Sequence, residues 1–395
     1  MEKAINSFEI DEGLWKPIED NRKTNIRGQE RSGQAMTHWQ DGWRRFKENK
    51  LSILGVFILI FLLLIAIFGP YFSPYSYSEQ NLDFKSIPPK LELYKANGNT
   101  LFYLDPTMGA FIVTENGELV RKVKDVEENI NEKQIIYNIE GEKIKFDYSE
   151  KPYRILNSKG EELNVYKKIW NKTYIFGSDD LGRDICVRLI YGARISLIIG
   201  LVCAISNLTI GVLYGAISGY IGGKTDIIMM RIREIFSSIP SLLYIIILML
   251  IFGSGVKTVA ITIGLTSWTG MAKMVRGQVL SLKESEYVLA AKTSGASTWR
   301  IIIKHLVPNT IGIIIIRMAS SIPGSIFTEA SLSFVGLGVS APQASWGTLS
   351  NEALPSLMTY PYKLFFPALA ICLTVLSFNF IGDGLRDALD PRLRK

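Results

Sequence analysis

The sequence predicts an all-α polytopic membrane protein with six membrane-spanning helices and a small extracellular β-rich module inserted after the first of them. Three observations support this fold class. The 395-residue chain, 48% of it hydrophobic, concentrates its apolar residues in long charge-free runs. Its Lys and Arg residues cluster on one side of these runs. One long polar segment alternates apolar residues around glycines, which is typical of strands.

Six runs are predicted to cross the membrane as helices. A helix rises about 1.5 Å per residue, so about 20 residues span a hydrocarbon core of roughly 30 Å. Backbone polar groups in lipid must be satisfied within the segment, and continuous runs without alternation therefore predict helices. The fourth run has only 15 residues and relies on Lys257 and Lys273 reaching the two interfaces. The predicted spans are Leu51–Pro70, Ile195–Tyr220, Ile235–Val256, Thr258–Ala272, Asn309–Gly336 and Leu364–Ile381.

The bias of basic residues sets the predicted orientation. Near the span ends, 17 Lys and Arg residues lie on the side of the two termini and 7 on the other. Because basic loops stay inside the cell, we expect a multi-pass protein of the plasma or inner membrane with both termini cytoplasmic. The formal charge of +7 reflects this bias and gives no reason to expect a nucleic-acid partner. The predicted regions are a cytoplasmic tail at 1–50, a first span at 51–70, the insertion at 71–176, a membrane core at 177–385 and a cytoplasmic tail at 386–395.

Residues 71–176 form the predicted outer module. Four short patterns centre on Gly98, Gly117, Gly141 and Gly160, with alternating or β-branched apolar residues on both sides of each glycine. Such patterns are typical of β-hairpins, so four hairpins are predicted. Two interpretations stay open for this module: an inert cap over the membrane part, or a docking surface for an extracellular partner.

The sequence offers no catalytic or cofactor site. Its two histidines, His38 and His305, cannot form a metal cluster with any of the three cysteines. The stretch Gly222–Thr225 is the nearest approach to a phosphate-binding loop, but Ser218 stands where the first glycine is required. That stretch also joins two predicted spans, so we interpret it as a tight cytoplasmic turn. We expect no enzyme activity and no cofactor, and a nucleotide site, if ATP is used, on another chain.

Two charges, Arg317 and Glu329, lie inside the fifth predicted span. They are 12 residues apart, which is about 18 Å along a helix, so they cannot pair with each other. A charge in lipid is costly, and each is expected to face water or a partner helix. For Arg317 we favour pairing near the cytoplasmic interface, and for Glu329 the two interpretations are equally open. Both residues are candidates for a transport pathway.

The longest predicted cytoplasmic connection, 273–308, has the pattern of a short helix, a glycine and a second helix. The first helix is predicted at Glu286–Lys292 and stops at Ser294-Gly295. The second is predicted at Thr298–Leu306, and Pro308-Asn309 closes the unit. A compact projection of this kind transmits force because little of its motion is lost to flexing.

The motif Leu289-Ala290-Ala291, followed by Gly295, Ile301, His305 and Pro308, resembles the EAA loop of permease subunits of ABC importers. In that family the loop is the coupling helix that sits in a cleft of the ATPase subunit. Leu289 stands where the family has an acidic residue, so contacts specific to that carboxylate are not expected here. The resemblance implies the ATPase-coupling residues Glu286, Leu289, Ala290, Ala291, Gly295, Ala296, His305 and Pro308.

Further segments resemble the C-type permease subunit of oligopeptide and dipeptide importers. They are Phe176–Asp184, Tyr191–Leu197, Glu329–Gly338 with Ser345–Gly347, and Gly382–Pro391. The first of these supplies further pathway or gating candidates: Asp179, Asp180, Arg183 and Asp184. Residues 91–172 have no counterpart in the usual family pattern and are interpreted as an insertion.

The resemblance implies a type I ABC importer permease fold and a set of partners. These are a second permease subunit forming a heterodimer, two ABC ATPase subunits and an extracytoplasmic peptide-binding protein, with an oligopeptide or dipeptide as substrate. One alternative is a permease of the same family for nickel or another small solute. An alternative from a different class is a membrane sensor or scaffold whose outer module binds a ligand.

Overall fold

The computed structural model describes residues 38–96, 99–149 and 153–389. Residues 1–37 and 390–395, which belong to the predicted tails at 1–50 and 386–395, and the predicted turn at Asn97-Gly98 lie outside these residues. The helices are α1 His38–Glu48, α2 Lys50–Phe72, α3 Ile185–Ser206, α4 Val212–Ile221, α5 Gly223–Ser238, α6 Ser241–Phe252, α7 Val256–Leu282, α8 Glu286–Thr293, α9 Thr298–Ile301, α10 Val307–Phe334, α11 Trp346–Ala353 and α12 Tyr362–Leu389. A π-helical turn, Asn207–Gly211, joins α3 to α4, and a second, Ile302–Leu306, joins α9 to α10.

Four helical stretches of the described chain are long and apolar enough to cross a membrane. They contain the first, second, fifth and sixth predicted spans. The helix pair α5–α6 adds a fifth if it is counted as one broken span. The helix α7, which contains the predicted span Thr258–Ala272, does not belong to this set, so the count of six stays a prediction. The four stretches are Lys50–Phe72, Ile185–Ile221, Thr298–Phe334 and Tyr362–Leu389.

The prediction of one unbroken helix at Ile235–Val256 is wrong. Helix α5 ends at Ser238, α6 begins at Ser241, and the two axes differ by 83°. Pro240 explains the break, because proline lacks an amide N–H and forces the residue before it into an extended conformation. Ile239 accordingly has φ −83° and ψ 124°. The 12 residues of α6 make a helix about 18 Å long, which is too short to cross the membrane alone.

Helices α4 and α7 pack closely against each other in the membrane part of the chain. Gly211, Gly215 and Gly219 recur every four residues and face α7, and a Cβ atom at Gly215 would lie 2.4 Å from the Ala272 carbonyl oxygen. Small residues at this spacing let two membrane helices approach closely. Helix α7 continues ten residues beyond the predicted span end at Ala272, to Leu282. It therefore extends helically into the segment predicted as a loop.

Replacing Gly215 by leucine is expected to destabilise the chain by about 1–3 kcal/mol, because the added side chain overlaps the backbone of α7. The measurement is the thermal unfolding midpoint of the purified complex in detergent. Gly277→Leu is the matched control, since a Cβ atom at Gly277 meets nothing within 4 Å. A Gly215→Leu midpoint equal to that of the control would contradict this packing.

The segment between α2 and α3 is β-rich, as predicted. Its strands form two antiparallel sheets, ordered β4-β3-β2-β1-β9 and β5-β6-β7-β8. The predicted turns at Gly117 and Gly141 join β3 to β4 and β6 to β7, and β1 pairs with β2, the strand that follows it in the chain. The described strands are β1 Lys90–Lys95, β2 Leu101–Leu104, β3 Ala110–Val113, β4 Leu119–Lys122, β5 Val126–Asn129, β6 Gln134–Ile139, β7 Glu142–Asp147, β8 Arg154–Leu156 and β9 Lys167–Trp170.

For the fourth predicted hairpin, around Gly160, the prediction of a second strand after the glycine is wrong. Strand β8 has only three residues, and a single bridge, Leu156 to Glu162, crosses the turn. The chain then runs to β9, which pairs with β1 from Lys90 to Leu93. This long-range pairing joins the first and last strands of the region, and the local alternation of residues carried no signal of it.

Tyr360, which precedes α12, fastens the β-rich region to the helices. Its hydroxyl group lies 2.8 Å from both carboxylate oxygens of Asp105. Both residues are buried, and burial raises the pKa of the Asp105 carboxyl group, against the opposing effect of hydrogen bonds from Thr107 and Tyr360. The β-rich region is therefore fixed to the end of a membrane helix rather than tethered to it by chain alone.

Tyr360→Phe is expected to weaken this attachment by about 1–3 kcal/mol, because a buried carboxylate loses a hydrogen-bond donor. Hydrogen–deuterium exchange of β2 and β3 should become faster, while that of β6 and β7 changes less. Tyr148→Phe is the control, since the Tyr148 hydroxyl has only a 3.5 Å contact with Glu128. Unchanged exchange in β2 and β3 would show that the contact does not hold the region in place.

Candidate functional site

The helix–glycine–helix pattern predicted from the sequence is present at 286–306, which is called the projection below. Gly295 ends α8 with φ +78°, a left-handed conformation that suits glycine. The amide of Gly295 donates to the Lys292 carbonyl, and that of Ala296 donates to the Ala291 carbonyl, which closes the last turn of α8. The Ser297 side chain then caps α9 by accepting the amide N–H of Arg300.

The prediction that Pro308 closes the projection is wrong. Helix α9, the π-helical turn and α10 form one continuous stretch, Thr298–Phe334. Pro308 has no amide N–H to donate backwards, and the wider π-helical turn Ile302–Leu306, which contains His305, precedes it. Pro308 therefore sits in the first turn of α10, where a missing N–H costs little. The projection is a direct extension of a membrane helix.

The projection has a buried side and an exposed apolar surface. Val288, Ile301, Ile302 and Leu306 are almost fully buried and pack against α4 and α7. Four other apolar side chains are exposed, and Trp299 and Leu289 expose 56% and 46% of their surface. Several exposed apolar side chains on one short projection are typical of a region that another protein covers. The apolar surface of the projection consists of Tyr287, Leu289, Trp299 and Ile303.

Among the predicted coupling residues, Glu286, Ala290 and Gly295 are exposed beside this apolar surface, and Ala291 and Ala296 are partly buried. Trp299 was missed, although a tryptophan in a polar loop is a signal that could have been used. The small residues leave room for a partner to approach the helix backbone.

A charged cleft lies where the segment before α3 meets α11 and α12. Arg188 donates to Asp179 at 2.7 Å and to Glu352 at 2.5 Å, and Arg183 contacts the same two carboxylates at 2.6 and 3.1 Å. Two cations and two anions therefore balance in one cluster, and Arg188 is only 1% exposed. Buried charges are tolerated when they are paired and hydrogen-bonded in this way. The cleft they line has a volume of about 310 Å³.

A second ion pair lies at the side of the same cleft. Lys363 Nζ donates to Asp180 at 2.5 Å and to Ser86 at 2.8 Å. Partial burial of the Asp180 carboxyl group opposes ionisation, but the hydrogen bond and charge of Lys363 outweigh it and lower the pKa. This pair links the start of α12 to the segment before α3, and the contact with Ser86 adds the segment that precedes β1.

The structure brings together three of the four acidic and basic residues predicted before α3. Asp179, Asp180 and Arg183 line the cleft, whereas Asp184 does not. Asp184 caps α3 by accepting the Cys186 amide at 2.8 Å, and burial raises the pKa of its carboxyl group to about 6. The partners Arg188 and Glu352 were missed, because neither belongs to a motif and they are 164 residues apart in the chain.

The two charges inside α10 have opposite surroundings. Glu329 is fully buried and accepts hydrogen bonds from Ser333 at 2.7 Å and Ser196 at 3.2 Å. Arg317 is exposed, and within the described part of the chain no acidic residue forms an ion pair with it. The favoured interpretation, that a neighbouring helix of this chain pairs with Arg317, therefore finds no support in these residues.

Together these features define a protein with several helices that are long and apolar enough to cross a membrane and with an exposed apolar projection beside them. A model of the family described as "Binding-protein-dependent transport system inner membrane component" matches residues 211–395, and the N-terminal TM domain of oligopeptide transport permease C matches 37–89. The chain belongs to this family of transport permeases, in its oligopeptide and dipeptide permease C branch.

Relatives from Bacillus subtilis match most of the chain. The oligopeptide transport system permease protein OppC is 41% identical over 92% of this chain and 93% of its own length. The dipeptide transport system permease protein DppC is 39% identical over 91% of this chain and 88% of its own length. A structure of the MetNI methionine ABC transporter, inward facing, aligns with a TM-score of 0.44 at 18% identity, over 51% of this chain and 96% of that chain.

The two family models match residues 37–89 and 211–395, so neither covers residues 91–172. The interpretation of 91–172 as an insertion stays a prediction.

Proposed function

We propose that this chain is one of the two permease subunits of an ATP-driven importer of oligopeptides or dipeptides. Membership of the family gives the coarser function, a permease component of a binding-protein-dependent transport system. The peptide substrate rests on the names of the relatives at 41% and 39% identity. Family membership likewise supports a second permease subunit, two ATPase subunits and a peptide-binding protein as partners.

The projection is the observation that carries this proposal. Its exposed apolar surface suits docking in a cleft of an ATPase subunit, and its coupling residues Glu286, Ala290 and Gly295 surround that surface. Because the projection continues into α10 without a flexible joint, closure of the ATPases displaces the membrane helix itself. ATP hydrolysis on a partner chain thereby drives movement of the transport path.

A second connection supports the transmission of this movement. Arg276 of α7 binds both carboxylate oxygens of Asp226 in α5 at 2.5 Å, and the Ser218 hydroxyl donates to the same carboxylate. A bidentate arginine–carboxylate pair fixes orientation as well as distance. Helices α4, α5 and α7 are thus fastened together at the base of the projection, so they move with it.

The charged cleft lies at the far end of the helices from the projection in the proposed topology. We assign it to the extracytoplasmic side with the β-rich region, and both termini and 273–308 to the cytoplasm. The cluster of Asp179, Arg183, Arg188 and Glu352 holds α11 against α3, as a closed outer gate requires. The β-rich region is placed to act as a cap or as a docking surface for the binding protein.

Reconstitution of the complete complex in proteoliposomes tests the proposal. Uptake of a labelled peptide should require this chain, ATP and the binding protein together. Co-purification in mild detergent separates this function from that of a membrane sensor, because only an importer subunit requires a stable ATPase partner. A chain recovered without any ATPase, and inactive in peptide uptake, would overturn the assignment.

A further inference from the structure

Helix α10 has an exposed side that differs from a lipid-facing surface. Arg317, Ser320, Gly324, Phe327 and Ser331 are exposed and recur every three or four residues, so they lie along one side of the helix. The exposed side chains of α2 are, in contrast, almost all leucine, isoleucine and phenylalanine. Hydroxyl groups and a guanidinium group are disfavoured in lipid. This side of α10 therefore borders water or another protein chain.

Arg317 is the only charged residue among these five. Gly270 of α7 makes room for it, since a Cβ atom at Gly270 would lie 3.0 Å from Arg317 Nη2. Lys273 lies one turn further along α7, next to Gly270 on the helix surface, and is exposed as well. Among the described residues neither cation forms an ion pair. Two cations on contacting helices, neither with an acidic partner among the described residues, make a candidate site for an anion.

The depth of the site limits what the anion can be. Arg317 is ten residues into α10, about 15 Å from the first residue of the helix. A guanidinium group at that depth is stabilised by water or by a carboxylate, which it binds with two parallel hydrogen bonds. If this side of α10 lines the transport path, the transported substrate supplies the carboxylate.

We propose that Arg317, assisted by Lys273, binds the C-terminal carboxylate of a peptide during its passage through the membrane. The inference rests on the proposed function, because only a peptide path brings such a group to this depth. Every unmodified peptide carries this carboxylate whatever its side chains, so one cationic site serves substrates of different sequence. The Ser320 and Ser331 hydroxyls donate to the Ile316 and Phe327 carbonyls, so towards a bound peptide they serve as hydrogen-bond acceptors.

Uptake of two matched peptides in proteoliposomes tests this proposal, one with a free C-terminal carboxylate and one with a C-terminal amide. The complete complex is used, with the binding protein saturated by each peptide so that its own preference cancels between variants. Arg317→Gln should slow uptake of the free peptide roughly ten-fold, the effect of losing one charged hydrogen-bond pair. Uptake of the amide should change little, and Arg317→Lys should recover part of the loss.

The matched control is Arg231→Gln, because Arg231 is exposed and pairs with Glu234 away from this side of α10. It should leave both uptake rates unchanged. An equal loss of uptake of both peptides in the Arg317→Gln variant would overturn the inference. It would indicate that Arg317 pairs with an acidic residue of the second permease subunit. An unchanged rate for the free peptide would also overturn it. Failure of the wild-type complex to import either peptide would instead overturn the proposed function.

Discussion

Gly295→Pro is expected to reduce ATP-dependent peptide uptake to the background of liposomes without ATP. Gly295 has φ +78° and donates its amide to the Lys292 carbonyl. Proline fixes φ near −65° and has no amide N–H, so it can adopt neither feature. The turn between α8 and α9 must then rearrange, and the apolar surface of the projection loses its shape. Uptake and ATP turnover are both measured, and turnover should lose its dependence on the binding protein.

Gly295→Asn is the matched variant, because asparagine tolerates the left-handed conformation better than other side chains and keeps its amide. It should retain most of the uptake. Both variants must first be recovered in the membrane with the second permease subunit, which separates loss of coupling from loss of the protein. Normal uptake by the proline variant would exclude a coupling role for this turn.

Arg188→Ala is expected to lower the free energy of unfolding by about 3 kcal/mol, because it leaves the buried Asp179 carboxylate with only Arg183 as an ion-pair partner. Arg188 is 1% exposed and contacts both Asp179 and Glu352. The value lies at the lower end of the usual range for buried pairs, since the side chain of Glu352 is 40% exposed and is partly solvated. The thermal unfolding midpoint of the complex in detergent measures the loss.

Arg231→Ala provides the comparison for this variant. Arg231 pairs with Glu234 on the surface of α5, and its side chain is 76% exposed. A surface pair of this kind contributes about 0–1 kcal/mol, so its removal should shift the midpoint little. If Arg188→Ala shifted the midpoint no further than Arg231→Ala, the charged cluster would not hold α11 against α3.

The sequence predicted the parts of this molecule that depend on local pattern. Charge-free runs located four membrane-crossing helical stretches, and turn glycines located three pairs of neighbouring strands. The helix–Gly295–helix pattern located the projection, because a left-handed turn requires a residue that tolerates positive φ. These features arise from residues that are near one another in the chain.

Some features were missed because they depend on contacts between residues that are distant in the chain. Others depend on a single proline inside a segment of otherwise uniform composition. Arg188 and Glu352 meet only after the helices pack, so neither residue carried a signal. The break at Pro240 could have been predicted, but the charge-free composition around it concealed the change of direction. Pro308 was expected to end a helix, whereas the π-helical turn before it lets the helix continue.

The most direct test of the central claim is photo-crosslinking from the projection in the assembled complex. A photoreactive amino acid replaces Leu289, which is 46% exposed on the projection, or Met358, which is 97% exposed between α11 and α12. We expect a covalent adduct with an ATPase subunit from position 289 and none from position 358. No ATPase adduct from 289, or an equal adduct from 358, would contradict both the docking of the projection and the orientation of the chain.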